Sequence, residues 1–164
     1  MRIAYRLRLA WWYVRRPEIH GSYIAVWHGE RVLIIRNSYR RYLSFPAGGR
    51  ARGESLLDAA QRELFEEVGI SAAHADLAYH GEFVYDGRYA EDHGHVFELH
   101  CASAPEVRVD RREVVWAGFL APDEALARGV VGIVQMYLES AAGRKPATRP
   151  TSPADAQRDE AERS

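Results

Sequence analysis

Short apolar runs bounded by polar residues dominate the first part of the chain and recur in its second half. Residues 21–36 contain two such runs separated by a polar turn at residues 28–30, which predicts a β-hairpin. Further strands are predicted from the same pattern at residues 76–85, 95–102 and 114–120. A β-sheet is therefore predicted as the centre of the fold.

Apolar residues at helical spacing lie between the first two predicted strands and the later ones. They form one stripe along residues 56–68 and comprise Leu56, Leu57, Ala60, Leu64 and Val68. Ser55 is placed as the N-cap of this helix and Gly69 as a left-handed C-cap. A last helix is predicted from residue 122 to about 142, with two glycines interrupting it. Strands and helices in this order predict an α/β domain.

The two ends of the chain differ from this centre. Residues 1–18 carry five arginines among aromatic and aliphatic residues, and several apolar positions share one helical face. They predict a short basic helix packed on the domain. The alternatives are a helix whose residues 1–16 lie on an anionic membrane surface, and a homodimer contact. Residues 143–164 contain three prolines, many charges and no large apolar residue, which predicts a disordered tail. A single folded domain is expected at residues 19–142.

Composition adds limits on the class of protein. With 164 residues the chain can form one domain with its own core, and its formal net charge of −1 gives no indication of a nucleic-acid partner. Cys101 is the single cysteine and cannot form an internal disulfide, which favours a reducing compartment. No run approaches the roughly 18 apolar residues that indicate a membrane-spanning helix. We therefore expect a soluble cytoplasmic protein.

Three carboxylates lie close together on the first predicted helix. Glu63, Glu66 and Glu67 stand at i, i+3 and i+4 and so project from one helical face. Each like-charged pair at that spacing costs roughly 0.2–0.5 kcal/mol in repulsion. A solvated acidic face is one interpretation. The other is a site for a divalent cation such as Mg²⁺, which prefers oxygen ligands and would cancel the repulsion. Arg62 can pair with Glu66 at i+4 or reach back to Glu54.

The residues around this cluster form a longer motif. From Gly48 to Ile70 the chain reads GGRARGESLLDAAQRELFEEVGI. This stretch resembles the signature of the Nudix hydrolases at every specified position. The resemblance covers about residues 19–142 and implies an α/β/α sandwich with a mixed β-sheet between helices. It also implies hydrolysis, with Mg²⁺ or Mn²⁺, of a pyrophosphate bond in a nucleoside diphosphate linked to another moiety. A small nucleotide derivative, and no specific nucleic acid, is then the expected partner.

The resemblance assigns roles to individual residues. It implies that Glu54 and Arg62 are supporting members of the catalytic site. The implied metal ligands are the carbonyl of Ala47 and the carboxylates of Glu63, Glu66 and Glu67. Many members have glycine where this chain has Ala47, but this position needs only a backbone carbonyl. A nucleotide-binding sensor that keeps the fold without hydrolysis is the alternative function, although such members usually lack one or more of these glutamates.

Substrate contacts are expected outside this motif. Arg36 and Arg40 precede the glycine-rich loop, near the expected position of a substrate phosphate; solvated arginines are the alternative interpretation. Tyr85 lies about 15 residues past the motif, where ADP-ribose pyrophosphatases usually have a proline, and a tyrosine there resembles the dinucleoside polyphosphate hydrolases. Three further aromatic side chains could stack on a base or cover the sheet: Tyr39, Tyr42 and Phe45.

Two further groups of polar residues lie in the second half of the chain. Asp110 and Glu113 occur where the family sometimes has an acidic residue that completes the metal site or acts as a base. The other group contains residue types typical of transition-metal sites, namely His93, His95, Glu98 and His100. Because His95 and His100 are five residues apart, they are expected on opposite faces of a strand, which argues against a metal site made of these four residues.

Overall fold

The computed structural model of the chain describes residues 18–86, 91–109 and 111–142. The predicted helix at residues 1–18, with its membrane or dimer contact, therefore lies outside the described residues except for Glu18. The predicted disordered tail and Asp110 lie outside them as well. Within the described ranges, no helix has both the length and the apolar character needed to cross a membrane.

Six strands and three α-helices form the described part of the chain. The strands are β1 Glu18–His28, β2 Arg31–Asn37, β3 Ala47–Gly49, β4 Ala78–Asp86, β5 Glu91–Cys101 and β6 Val114–Leu120. The helices are α1 Leu56–Val68, α2 Pro122–Arg128 and α3 Gly132–Ala141, with a 3₁₀ turn at His74–Asp76. The sheet order is β4-β5-β1-β2-β6, and β3 pairs with β1. The sheet is mixed, because β1 and β5 are parallel and the other pairs are antiparallel.

The central strand β1 is covered on both faces. Ile24 and Val26 pack in a cluster with residues of α1, whereas Tyr23 and Ala25 pack in a second cluster with residues of α2 and α3. Side chains alternate between the two faces of a strand, so a strand buried on both sides is apolar throughout. The fold thus has three layers, α1, the sheet, and the pair α2–α3. The predicted α/β/α sandwich with a mixed sheet is confirmed.

Local capping sets both ends of α1. The Ser55 side chain accepts a hydrogen bond from the backbone N–H of Asp58 at 3.1 Å, which satisfies one of the free N–H groups of the first turn. Gly69 adopts φ 70°, and its N–H donates to the carbonyl of Phe65 at 2.9 Å. Both caps were predicted, and they set the first and last residues of the helix that carries the carboxylates.

Two predicted elements differ from the structure. The strand expected at residues 95–102 begins at Glu91, and so it pairs along the whole length of β1. The helix expected over residues 122–142 is broken into α2 and α3. At the break, Leu43 accepts a hydrogen bond from the N–H of Val131 at 2.9 Å and donates one to the carbonyl of Gly129 at 3.1 Å. These hydrogen bonds to the preceding loop replace helical ones, so the interruption is complete.

Candidate active site

The glycine strand β3 lies against one face of α1. Gly48 pairs with Ser22 of β1, and a Cβ atom built on Gly48 would overlap the carboxylate of Glu63. The absence of a side chain at this position therefore allows the Glu63 carboxylate to lie directly on the backbone of β3. This contact brings the motif's first residue and its first helical carboxylate together.

Arg62 joins three carboxylates to the glycine strand. Its Nε and Nη2 donate to the two oxygens of Glu54 at 2.8 and 2.9 Å, and its Nη1 donates to Glu63 at 2.6 Å and to Glu66 at 3.2 Å. Nη2 also donates to the carbonyl of Gly49 at 3.0 Å. The planar guanidinium can hold several acceptors in fixed directions. Arg62 is therefore the positioning residue for these carboxylates.

The charge of Arg62 is reflected in the pKa of its partner Glu54. Hydrogen bonds from Arg62, with a further one from the backbone N–H of Ala51, lower the pKa of Glu54 to about 2. Hydrogen bonds to Glu54 and Glu63 in turn raise the pKa of Arg62. Each shift favours the charged form of its group, so the pair stays ionised at neutral pH.

Glu67 is the buried carboxylate of the group. Its side chain accepts hydrogen bonds from the backbone N–H of Ala47 at 2.9 Å and from Nδ2 of Asn37 at 3.2 Å, and the residue is 5% exposed. Burial raises the pKa of Glu67 to about 7, and the charges of Glu63 and Glu113 add to the rise, against the two hydrogen bonds. A cation beside this carboxylate would offset both the cost of its burial and the repulsion from the two neighbouring acidic groups.

Two carboxylates of α1 lie against β3, Glu63 beside Gly48 and Glu67 beside Ala47. One of them, Glu67, is buried close to the charges of Glu63 and Glu113. Oxygen ligands of this kind suit Mg²⁺ and Mn²⁺. Glu66 is more exposed, and its link to the others runs through Arg62. Of the predicted ligands, Glu63 and Glu66 are thus linked through Arg62, and Glu67 is held by the backbone N–H of Ala47.

Of the predicted substrate residues, Arg40 and Tyr85 each lie near Asp92 of β5. Burial raises the pKa of Tyr23 and of Asp92, whose side chains share a 3.1 Å hydrogen bond, and the nearby Arg40 guanidinium partly offsets each rise. Tyr85 is directly opposite Asp92 in the β4–β5 ladder, and its ring packs on Gly132. These contacts define one polar region that two predicted substrate residues border.

The other predicted contacts are placed separately. Arg36 is opposite Trp116 in the β2–β6 ladder and is exposed. Tyr39 and Tyr42 are exposed, but Phe45 is fully buried against Tyr137, so the base-stacking interpretation of Phe45 was wrong. Phe45 instead fills the core beneath α3, as in the alternative interpretation that these aromatic side chains cover the sheet.

The four residues of the proposed transition-metal group divide between the two faces of β5, as the alternation predicted. Glu98 lies on the α3 side, where it accepts a hydrogen bond from the Tyr137 hydroxyl at 2.6 Å and contacts His80 Nδ1 at 2.7 Å. His100 contacts the second Glu98 oxygen at 3.1 Å. His95 instead contacts the Tyr79 hydroxyl and belongs to the α1 side. No metal site forms from these four residues together.

Sequence reasoning missed two participants. Asn37 donates to the buried Glu67, and Asp92 accepts from Tyr23. A signal for Asn37 was present, since it is a polar residue that ends the apolar run of β2. No local signal marked Asp92, because its partner lies 69 residues away in the sequence.

Comparisons with known proteins agree with this geometry. The NUDIX domain family model matches residues 20–138. An RNA pyrophosphohydrolase of Bartonella bacilliformis is 38% identical over 64 residues, which cover 37% of this chain and 38% of that protein. A Nudix hydrolase of Escherichia coli K12 named YfcD is 30% identical over 115 residues, covering 66% of this chain and 62% of its own length. The chain thus spans less than two thirds of either relative.

Among solved structures, the MutT Nudix hydrolase of Burkholderia pseudomallei is similar with a TM-score of 0.66 and 21% identity. The match covers 74% of this chain and 96% of that one. At this identity the likeness establishes the three-layer fold. Together with the family match over residues 20–138 and the complete motif on β3 and α1, it shows that the chain is a member of the Nudix hydrolase family.

Proposed function

We propose that this protein hydrolyses a pyrophosphate bond in a nucleoside diphosphate linked to another moiety, and that it does so with Mg²⁺ or Mn²⁺. The observation that carries the proposal is the buried Glu67 carboxylate, held by the Ala47 N–H beside the glycine strand. Burying a carboxylate close to two other acidic groups is costly unless a cation joins them. This cost supports the proposal of a cation beside β3.

Each residue has a distinct part in the proposed reaction. Glu63, Glu66 and Glu67 would hold the cation, with the Ala47 carbonyl as a further ligand. Arg62 keeps Glu63 and Glu66 in place through its two hydrogen bonds from Nη1. Glu54 anchors the other edge of the Arg62 guanidinium. When bound, the cation supplies charge neutralisation at the phosphate oxygens.

The proposed reaction consumes one water molecule. Its oxygen forms a bond to phosphorus, the bond between that phosphorus and the bridging oxygen breaks, and a carboxylate of the site accepts the proton. The leaving phosphate carries away the bridging oxygen and its electron pair. A nucleotide and a phosphorylated remainder are therefore the expected products.

Small nucleotide derivatives are the proposed substrates. The charged region around Arg40 and Asp92, with Tyr85 beside it, offers contacts for a phosphate and an aromatic ring. The Bartonella relative is named for pyrophosphate hydrolysis on RNA, but its similarity covers 37% of this chain. With a net charge of −1, the chain also lacks an overall attraction for RNA.

A substrate screen tests the proposal. The full chain would be incubated with nucleoside triphosphates, sugar nucleotides, dinucleoside polyphosphates and 5′-triphosphorylated RNA, with Mg²⁺ or Mn²⁺ and with EDTA, and the products separated by anion exchange. We expect cation-dependent release of a nucleotide. Glu67→Gln should lower kcat by at least about a hundredfold, the scale of lost charge stabilisation at a reacting phosphate. Tight nucleotide binding without turnover of any substrate would support the sensor function instead.

A further inference from the structure

A second group of ligating side chains lies on the α1 side of the sheet, where β4, β5 and β1 run side by side. It consists of His20 from β1, Glu82 from β4 and His95 from β5. One ligating atom from each of these side chains lies within 4.8 Å of the other two. His20 Nδ1 is 3.3 Å from His95 Nε2, and His95 Nε2 is 3.8 Å from Glu82 Oε1. Three adjacent strands thus direct two imidazoles and one carboxylate to the same point.

The spacing of the two imidazole nitrogens is that of two ligands in a tetrahedral metal site. Zinc ligands lie about 2.0–2.1 Å from the ion, so two ligands at the tetrahedral angle are about 3.3–3.4 Å apart. The separation of the two imidazole nitrogens has this value, and the separation from Glu82 exceeds it by a few tenths of an ångström. Binding of a metal ion would require the Glu82 carboxylate to approach His95 by that amount.

Neighbouring side chains hold this group in place. The Tyr79 hydroxyl lies 3.1 Å from Nδ1 of His95, the nitrogen that faces away from the group. His93 contacts Glu82 at 2.6 Å and Glu91 at 2.8 Å, distances typical of hydrogen bonds. Partners of this kind orient metal ligands and fix the tautomer of a ligating histidine.

We propose that His20, Glu82 and His95 bind a transition-metal ion of the Zn²⁺, Co²⁺ or Ni²⁺ class, at a site separate from the carboxylates of α1. Imidazole favours these ions over Mg²⁺, whereas the all-oxygen group at Glu63, Glu66 and Glu67 favours hard cations. The side chain of His20 is 38% exposed, so solvent can supply the fourth ligand. The ion would tie β1 to β4 and β5.

The test measures metal binding by the full chain after chelator treatment and dialysis. Zn²⁺ is titrated by calorimetry in the presence of excess Mg²⁺, which occupies hard-cation sites, and Co²⁺ is added in parallel to observe the visible absorption of tetrahedral coordination. We expect one Zn²⁺ per chain. His20→Ala and Glu82→Gln should each weaken its Kd by at least about a hundredfold, the upper end of the effect of losing an orienting partner.

Matched variants separate this site from others. His100→Ala removes an exposed histidine on the opposite face of β5, and Glu63→Gln alters the hard-cation group; neither should change the Zn²⁺ Kd. Circular dichroism and melting curves of the metal-free proteins verify that each variant is folded. If His20→Ala does not fold, the isosteric Glu82→Gln variant alone tests the site. The proposal is overturned if the wild-type chain binds no Zn²⁺, if both site variants bind it unchanged, or if Glu63→Gln abolishes binding. None of these outcomes depends on finding the substrate of the hydrolase.

Discussion

The carboxylate of Glu67 accepts a hydrogen bond from the backbone N–H of Ala47 at 2.9 Å, and so α1 is fastened directly to the strand that carries the glycines. The hydrogen bond crosses 20 residues of sequence, which include the whole loop between β3 and α1. One backbone amide, together with Nδ2 of Asn37, thus holds the buried Glu67 carboxylate in place. Changes on β3 are therefore expected to act on catalysis through the carboxylates of α1.

Gly48→Ala should lower kcat by about a hundredfold, because the new methyl group displaces the Glu63 carboxylate, and misplacement by about 1 Å can cost that much. The group displaced is the end of a flexible side chain, so the free energy of unfolding should change by less than about 1 kcal/mol. Gly49→Ala is the matched control, since a Cβ there meets no atom within 4 Å. Equal activity of the two variants would contradict the role given to the Gly48–Glu63 contact. Steady-state kinetics and urea unfolding measure both quantities.

Asn37→Ala should destabilise the fold by about 1–3 kcal/mol, because it removes a donor from a buried carboxylate. The adjacent Ser38→Ala is the control. Ser38 is exposed and donates to the carbonyl of Arg112 at 3.0 Å, and surface substitutions usually change stability by less than about 0.5 kcal/mol. Urea denaturation at neutral pH gives the comparison. If both variants unfold at the same urea concentration as the parent chain, Asn37 does not support Glu67.

Adding Mg²⁺ or Mn²⁺ should raise the melting temperature, because the ion binds the folded carboxylate group and scarcely the unfolded chain. At a hundred times its Kd the expected gain is about 2.7 kcal/mol. Glu66→Gln should reduce that gain, whereas Asp58→Asn, which changes an exposed carboxylate on the same helix, should preserve it. Thermal shifts recorded over a range of Mg²⁺ concentrations give the answer. Equal shifts in the two variants would mean that the carboxylates form only a solvated acidic face.

Stability should fall in acid through Glu98. Burial alone would raise its pKa, but hydrogen bonds from His80, Tyr137 and His100 outweigh burial and lower the pKa from 4.5 to about 2. Because the pKa of Glu98 is lower in the folded state than in the unfolded chain, the ionised carboxylate stabilises the fold at pH values above 4.5. This stabilisation is lost as the pH falls from 4.5 towards 2. The full contribution amounts to about 3 kcal/mol.

Glu98→Gln should therefore reduce the difference in unfolding free energy between about pH 7 and about pH 3. Glu139→Gln, at an exposed carboxylate on α3, provides the comparison and should leave that difference unchanged. Urea unfolding at each pH measures it. A Glu98→Gln protein with the same pH dependence as the parent chain would rule out Glu98 as a source of acid sensitivity.

The sequence predicted those parts of the site that depend on neighbours along the chain. Helix α1, its caps at Ser55 and Gly69, and the clustering of its carboxylates follow from spacing and from short-range hydrogen bonds. His20 and His95 are 75 residues apart in the sequence. Their side chains meet only because β1 and β5 pair in one particular register. A shift of that register by one residue would send the histidines to opposite faces. Local patterns carry no information on such a register, so this group of residues was not foreseen.

The full-length parallel pairing of β1 with β5 has a consequence for synthesis of the chain. All eleven residues of β1 find partners in β5, which leaves the ribosome about 70 residues later. Until then, an apolar strand presents an open edge that can recruit strands of other nascent chains. Polypeptides that terminate before Glu91 should therefore aggregate during translation, even though they contain the complete motif from Gly48 to Ile70.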